Sequence, residues 1–292
     1  MKAVKYMTKI MVMPAYPNID DLIDQADAIL LGYKGMSINF LFTVDLDYIE
    51  HILPIVKEKK KQLFIALNKN FHSGELDSVK KVMHKLADLQ IDGILYYDVA
   101  VIQMKNEYKI EIPLIWGAEH LTTNYATMNY WNYHGADMTY VSGEITKQEI
   151  LKIRKHTNMP LIVPILGHLP MFVSERHEVK NYLDHFQLND QSSIYYMEKE
   201  GNRYPIIDNE EGTFVYSSHI LNGYQEFIEF GEKGIDYVLC NENFIDRNIF
   251  LKIITLFHNR NGSDETIDTL LDGNTDKGFF YKETVYQVKH YD

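Results

Sequence analysis

The sequence predicts an α/β fold, a TIM-like (β/α)8 barrel, because eight short apolar runs alternate with helix-period segments along 292 residues. Periodicity alone leaves an open, doubly wound sheet as the alternative. The regular alternation over the chain favours the closed barrel. The predicted strands are 10–13, 28–31, 63–67, 93–97, 114–116, 138–141, 161–166 and 237–240.

Helical patterns fill the gaps between these runs. Thr146 and Glu149 form a capping box, in which each side chain can satisfy the other residue's exposed amide. Another helix is predicted from four apolar side chains whose spacing puts them on one face: Val79, Val82, Met83 and Leu86.

The alternation breaks once, between the seventh and eighth strands. Residues 193–219 predict a β-hairpin insertion with turns at 201–202 and 210–212, followed by a helix over 223–231. An insertion there would lie over the C-terminal mouth of the barrel, where barrel enzymes react. Because no linker, low-complexity tract or internal repeat is present, we expect a single domain over 1–292.

Charge and composition exclude several classes of protein. The chain has 29 Lys and Arg against 41 Asp and Glu, a formal charge of -12, which argues against unaided RNA binding. No segment is typical of a signal peptide or reaches the roughly 20 apolar residues that span a bilayer. We therefore expect a cytoplasmic protein without membrane contact.

The one cysteine, Cys240, excludes a disulfide or thiolate cluster within the chain and is typical of a small core side chain.

The segment after the seventh strand predicts a functional loop. The apolar run 161–166 meets Gly167, and a polar stretch follows that contains His168, Met171, Ser174, Arg176 and His177. In a barrel, polar residues after the strands converge on one pocket. Collected over the chain, they are Ser37, Asn39, Asn68, Asn70, Asp98, Glu119, Asn124, Ser142, Glu144, His168, Ser174 and Arg176.

These side chains suit a small polyoxygenated anion or a peptide backbone, with Arg176 as a bidentate carboxylate clamp. We predict catalytic roles for Glu119, Glu144 and Arg176, because charges inside a mouth are costly unless they are used or paired. Substrate-binding roles are predicted for Asn68, Asn124, His168 and Ser174. The structural alternative, helix capping, is the favoured role for Ser37, Ser142 and Asn68.

Other chemistries have weaker support. His120, His168 and His177 lack the spacing of a metal motif, so no metal site is predicted. Ser174 does not lie in a nucleophile elbow. A peptidase that activates water through Glu119 or Glu144 remains open.

Four sequence blocks resemble the collagenase-like U-32 peptidase family, which has a barrel fold. They are ALNKNFHSGELD (66–77), VSGEITKQEI (141–150), GHLPMFVSER (167–176) and RYPIIDNEEGT (203–213); FFYKETVYQVK (279–289) is similar to short members from Gram-positive bacteria. The resemblance adds Asp208 and Thr213 to the predicted substrate-binding residues.

Members of this family include RNA- and quinone-hydroxylation factors with an iron–sulfur cluster on four cysteines. Some modify the tRNA wobble uridine with prephenate as oxygen source. In this chain the first cluster position corresponds to His177, the paired positions fall near 188–193, and the last falls near Asn222. No cysteine occupies any of them, so we expect no bound cofactor.

The resemblance therefore implies two functions. The chain is the cluster-free partner of a larger, cysteine-containing U-32 protein, through which it acts on tRNA, or it is a collagenase-like peptidase, a hydrolase with a non-standard mechanism. A barrel that only binds is a third possibility. The first interpretation is favoured, since the motifs that a peptidase needs are missing.

Overall fold

The computed structural model describes residues 7–190 and 192–282. The strands in this part are β1 (Lys9–Met13), β2 (Ala28–Tyr33), β3 (Thr43–Val44), β4 (Gln62–Leu67), β5 (Gly93–Tyr96), β6 (Leu114–Trp116), β7 (Met138–Tyr140), β8 (Leu161–Ser174), β9 (Tyr195–Lys199), β10 (Asn202–Asn209), β11 (Gly212–Asn222), β12 (Tyr237–Asn241) and β13 (Thr275–Asp276).

Helices connect the strands. They are α1 (Asp20–Gln25), α2 (Leu46–Glu58), α3 (Leu76–Asp88), α4 (Val99–Tyr108), α5 (Tyr125–Tyr133), α6 (Lys147–His156), α7 (Glu178–Phe186), α8 (Tyr224–Lys233), α9 (Arg247–Asn259) and α10 (Asp264–Leu270). None of these helices is long and apolar enough to cross a membrane.

Eight parallel strands close into a barrel in the order β1, β2, β4, β5, β6, β7, β8 and β12. The ring closes because β12 pairs with β1 on one side and with the first half of β8 on the other. Such strands are buried on both faces, which explains their nearly continuous apolar sequences. The barrel prediction and all eight predicted strand positions are confirmed.

The three helix predictions are also confirmed. The predicted apolar face of α3 is buried against the barrel. At the start of α6, the Thr146 hydroxyl accepts a hydrogen bond from the Glu149 amide at 3.2 Å. The helix predicted over 223–231 corresponds to α8. The helices thus cover the outside of the barrel and leave its carboxyl-terminal mouth open to the loops.

The seventh barrel strand, β8, is longer than the sequence predicts. It continues to Ser174, so the loop predicted after Leu166 is wrong up to that residue. Gly167 has φ +117, and a Cβ there would lie 2.5 Å from the Asn241 carbonyl oxygen. Glycine therefore lets the strand continue close to β12, after which the second half of β8 pairs antiparallel with β11.

The insertion lies where it was predicted, but it is larger than one hairpin. Strands β9, β10 and β11 form an antiparallel sheet with the outer half of β8. Its turns fall at 200–201 and 210–211. A small cluster of Ile207, Phe214 and Tyr216 packs against Ile38 and Phe244 from the barrel loops. This contact holds the sheet over the barrel mouth.

Some sequence predictions concern residues outside the described part of the chain. These are the first six residues, Gln191 in the segment 188–193, and positions 283–289 of the C-terminal block.

Candidate binding and active site at the barrel mouth

Three adjoining cavities open at the carboxyl ends of the barrel strands, and Glu119 lines all of them. The inner cavity has a volume of about 40 Å³ and is also lined by Asn39, His168 and Asn241. The two outer cavities have volumes of about 490 Å³ and 270 Å³. Loops after different strands meet here, as expected for a barrel site.

Glu119, in the loop after β6, is held by Asn39 from the loop after β2. The Asn39 amide nitrogen donates to both carboxyl oxygens, at 3.1 Å and 3.0 Å. Burial raises the pKa of Glu119 to about 7, although the Asn39 bond and nearby His120 act in the opposite direction. A carboxyl with this pKa can accept or release a proton near neutral pH, as a general acid or base requires.

Asn39 itself is fixed by its backbone. Its φ is +68, a left-handed conformation that asparagine tolerates better than most residues. The Asn243 side-chain amide donates to the Asn39 carbonyl oxygen at 2.9 Å. The Asn39 backbone is therefore held from the loop after β12 as well as by its own loop.

His168 lies in β8 at the edge of the inner cavity and is almost completely buried. Its Nδ1 lies 2.6 Å from the Ser217 carbonyl oxygen. Since a carbonyl only accepts, Nδ1 carries the hydrogen and Nε2 of the neutral ring has a free lone pair. Burial lowers the pKa of His168, which favours this neutral form.

The aromatic neighbour of His168 lies on a strained backbone. Phe244 packs edge-on against the imidazole at 5.6 Å between ring centroids, and against Tyr216 at 4.9 Å. Its φ is +65, which is rare for a bulky side chain. Such strain is found where the surrounding structure needs a particular geometry, and functional sites are enriched in it.

Glu144 lies in the loop after β7 and lines the third cavity. One of its carboxyl oxygens is 3.2 Å from Nδ1 of His120, and both side chains are about half exposed. The Glu144 amide donates to the Ser142 hydroxyl at 3.2 Å. Two of the three predicted catalytic residues, Glu119 and Glu144, therefore reach the mouth together.

Several predicted polar residues have structural contacts. Asn68 exchanges two hydrogen bonds with the backbone of Ile38, at 3.1 Å and 3.3 Å. The Ser37 hydroxyl donates to the Tyr33 carbonyl oxygen at 2.9 Å. The capping prediction for Ser37, Ser142 and Asn68 is therefore wrong, because each stabilises a loop. Asn124, by contrast, caps α5 by accepting from the Thr127 amide at 3.0 Å.

Residues from the family blocks build the start of α7. The Thr213 hydroxyl donates to the Arg176 carbonyl oxygen and accepts from the Glu178 amide, both at 2.8 Å. The Asp208 carboxylate accepts from the amides of Val179 at 2.9 Å and Lys180 at 3.1 Å. Asp208 and Thr213, predicted to bind substrate, thus satisfy the exposed amides of a helix terminus.

Arg176 and Ser174 lie at the same place. The Ser174 hydroxyl accepts from the Arg176 amide at 3.1 Å, and Ser174 lines the larger outer cavity. The Arg176 side chain is exposed and lies outside the three cavities. Within residues 7–190 and 192–282 it forms no ion pair. The structure therefore does not bring Arg176 together with Glu119 and Glu144.

Sequence reasoning missed the polar residues after the eighth barrel strand. Asn241, Glu242 and Asn243 directly follow the apolar run that ends at Cys240, which is the same signal that identified Glu119. Glu242 is fully buried and pairs with Arg247, and its carboxylate accepts from the Ala15 amide at 2.8 Å. Burial raises the pKa of Glu242 despite these bonds.

The residues at the family's cluster positions do not form a set of soft iron ligands. His177 pairs with Asp208 at 2.9 Å, and the buried Asn222 donates to the Asp264 carbonyl oxygen at 3.0 Å. Cys240 is completely buried in the core, as predicted, and burial raises the pKa of its thiol. Among the described residues, no three His, Cys, Asp or Glu side chains come together as a metal site. An iron–sulfur cluster does not fit this donor set.

Comparison with known proteins identifies the family. The sequence model of peptidase family U32 matches residues 20–273. The chain therefore belongs to peptidase family U32, as its sequence blocks indicated.

Relatives and a solved structure agree with this membership. The chain is 26% identical to tRNA hydroxylation protein P2 of Bacillus subtilis (strain 168) over 286 residues, which cover 89% of this chain and 93% of that protein. It is 21% identical to tRNA hydroxylation protein P1 of the same bacterium over 161 residues, 54% of this chain and 38% of that protein. A U32 peptidase of known structure has the same fold, with a TM-score of 0.52 at 12% identity, over 82% of this chain and 95% of that one.

Proposed function

We propose that this chain is the cluster-free subunit of a tRNA hydroxylation system that modifies the wobble uridine with prephenate as oxygen source. Its partner would be a larger, cysteine-containing U32 protein that binds the cluster and contacts the tRNA. The observation that carries the proposal is the similarity to protein P2 over 93% of that protein's length.

The pattern of similarity supports a two-protein arrangement. Bacillus subtilis has both P1 and P2, and this chain corresponds to most of P2 but to 38% of P1. A short and a longer U32 protein thus occur in one cell. Because this chain has one cysteine, and that cysteine is in the core, the cluster ligands would come from the longer protein.

An exposed apolar surface supports the presence of a partner. We define the outer apolar surface as Tyr182 and Phe186 of α7, whose ring centroids lie 4.8 Å apart, and Leu188 just after the helix, each about half exposed. No residue of α7 is buried, although its apolar side chains lie on one side of the helix. Exposed apolar patches of this kind mark protein-binding surfaces. We propose that the larger U32 protein covers this surface.

Co-purification tests the proposal. A tagged form of this chain, expressed anaerobically with the larger U32 protein of its own organism, should capture that protein, and iron should elute with the pair. A variant with Tyr182→Glu and Phe186→Glu should lose most of the captured protein, because two buried charges would oppose docking. Tyr133→Glu, at an exposed tyrosine on α5, is the matched control and should bind normally.

Two results would contradict the proposal. One is stoichiometric iron in this chain purified alone. The other is release of peptides from gelatin by this chain, abolished by Glu144→Ala, which would favour the peptidase interpretation.

A further inference from the structure

The inner cavity contains a buried hydrogen-bond acceptor without a partner. Asn39 is 6% exposed and lines this cavity. Its amide nitrogen donates to Glu119, but its side-chain oxygen has no partner among the described residues. Buried acceptors in native proteins almost always have a donor, so a ligand with donor groups would complete this site.

A second acceptor lines the same cavity. His168 is 5% exposed, and the bond from Nδ1 to Ser217 leaves Nε2 as an acceptor when the ring is neutral. In the described part of the chain Nε2 has no hydrogen-bond partner. Together with the Glu119 carboxyl, the cavity therefore presents acceptors to a ligand from three side chains.

The larger outer cavity, through which a ligand would approach, is acidic. It contains one lysine, Lys69, which is paired with one of the carboxylates, Glu75, at 2.8 Å. The aromatic ring of Tyr97 also lines it. The five carboxylates that line this cavity are Glu75, Glu119, Glu175, Glu210 and Glu211. An anionic ligand would be repelled here, whereas carboxylates and an aromatic ring attract a cation.

We propose that the barrel mouth binds a cationic nitrogen group, an ammonium or a guanidinium, which donates hydrogen bonds to Asn39 Oδ1, His168 Nε2 and the Glu119 carboxylate. Both groups are donors only, which matches these three acceptors in a cavity whose other lining residues are mostly apolar. A volume of about 40 Å³ has room for a group of this size. The same chemistry is available in a free amine and in the lysine or arginine side chain of a bound protein. The proposal is independent of the tRNA assignment, because it rests on these acceptors and on the acidic lining of the outer cavity.

Binding of a cation should depend on pH through Glu119. Because burial raises its pKa to about 7, the carboxyl is mostly protonated at pH 6 and ionised at pH 8. Affinity should therefore rise about tenfold between these two pH values. Burial lowers the pKa of His168, so its protonation would act in the same direction only at the acid end of this range. The titratable and charged groups near Glu119 are His120, Tyr140, Glu144, His168 and Tyr216, and the outer cavity adds Lys69, His72, Glu75, Glu175, Glu210 and Glu211.

Calorimetric titration of the full chain with defined probes tests the proposal. Agmatine carries both an ammonium and a guanidinium; a blocked Gly-Arg-Gly tripeptide carries the guanidinium on a protein-like backbone; citrate is the anionic control. Agmatine or the tripeptide should bind saturably, more tightly at pH 8 than at pH 6, and citrate should not bind. Agmatine alone would indicate a free amine as ligand, whereas the tripeptide would indicate a side chain from a bound protein.

Variants locate the binding. Glu119→Gln keeps an oxygen for Asn39 and should weaken binding at pH 8 about tenfold while flattening the pH dependence. Glu144→Gln, at the rim, should weaken it less. Asp88→Asn removes an exposed carboxylate at the end of α3 and should change nothing. The proposal is overturned if neither cationic probe binds, if citrate binds instead, or if Glu119→Gln binds as the wild type does.

Discussion

Glu119 is partly buried and accepts hydrogen bonds from one amide nitrogen, that of Asn39, and this combination makes its charge costly. Its pKa in the folded chain is about 7, above the ordinary 4.5. The folded chain therefore retains a proton that the unfolded chain releases between these values. The stability that this proton provides is complete below pH 4.5 and is lost as pH rises through 7.

Glu119→Gln should remove this pH dependence. Relative to the variant, the wild type should lose on the order of 2 kcal/mol of unfolding free energy between pH 5 and pH 8. Urea unfolding of both proteins at the two pH values measures the difference. Asp88→Asn is the control. Its unfolding free energy should differ from that of the wild type by the same amount at pH 5 and at pH 8. Equal pH dependence of the wild type and Glu119→Gln would show that Glu119 titrates normally.

The sequence predicts the positions of some residues at the barrel mouth but not the contacts or positions of others. Glu119 and Glu144 were predicted because each follows a barrel strand, and the topology alone brings such positions together. The contacts of Asn68 could not be predicted, since its partner, Ile38, is 30 residues away in another loop. Arg176 was misplaced because the sequence does not show that β8 leaves the barrel before reaching it.

Helix α7 depends on two strands of the inserted sheet for its stability. Its own N-cap residue, His177, makes no capping bond through its side chain, so Asp208 of β10 and Thr213 of β11 satisfy the first amides. The helix and the inserted sheet therefore support each other. Since α7 carries part of the outer apolar surface, this contact also fixes the proposed partner-binding surface.

Asp208→Ala should loosen α7 selectively. Loss of the cap should lower the stability of α7 by about 1–2 kcal/mol. Hydrogen exchange at the amides of Val179 and Lys180 should therefore become faster, while the amides of the barrel strands stay protected. Asp184→Ala, at an exposed position within α7, is the matched control. Unchanged exchange at Val179 and Lys180 in Asp208→Ala would show that the carboxylate does not hold the helix.

At the level of elements, local patterns predicted the barrel strands well because each is an apolar run bounded by polar residues. The outer half of β8 was predicted as a loop because the apolar run 161–166 ends at Gly167 and a stretch with several polar residues follows. Its strand conformation depends on pairing with β11, about 50 residues later. Such a long-range contact leaves no local signal.

The whole molecule is acidic, with a formal charge of -12, and the larger outer cavity at its mouth is acidic as well. Phosphate contacts supply most of the affinity of proteins for nucleic acid, so this chain is poorly suited to bind tRNA alone. Membership of peptidase family U32 and the similarity to proteins P2 and P1 nevertheless connect it with tRNA hydroxylation. A partner that binds the RNA reconciles the two observations.

The level of hydroxylated wobble uridine in total tRNA, measured by mass spectrometry of nucleosides, tests this account most directly. Deletion of the gene should abolish or strongly reduce the modification, and expression of the wild-type chain from a plasmid should restore it. Cys240→Ala should restore it equally, because this cysteine is a core side chain and not a cluster ligand. Full hydroxylation in the deletion strain would contradict the proposed function.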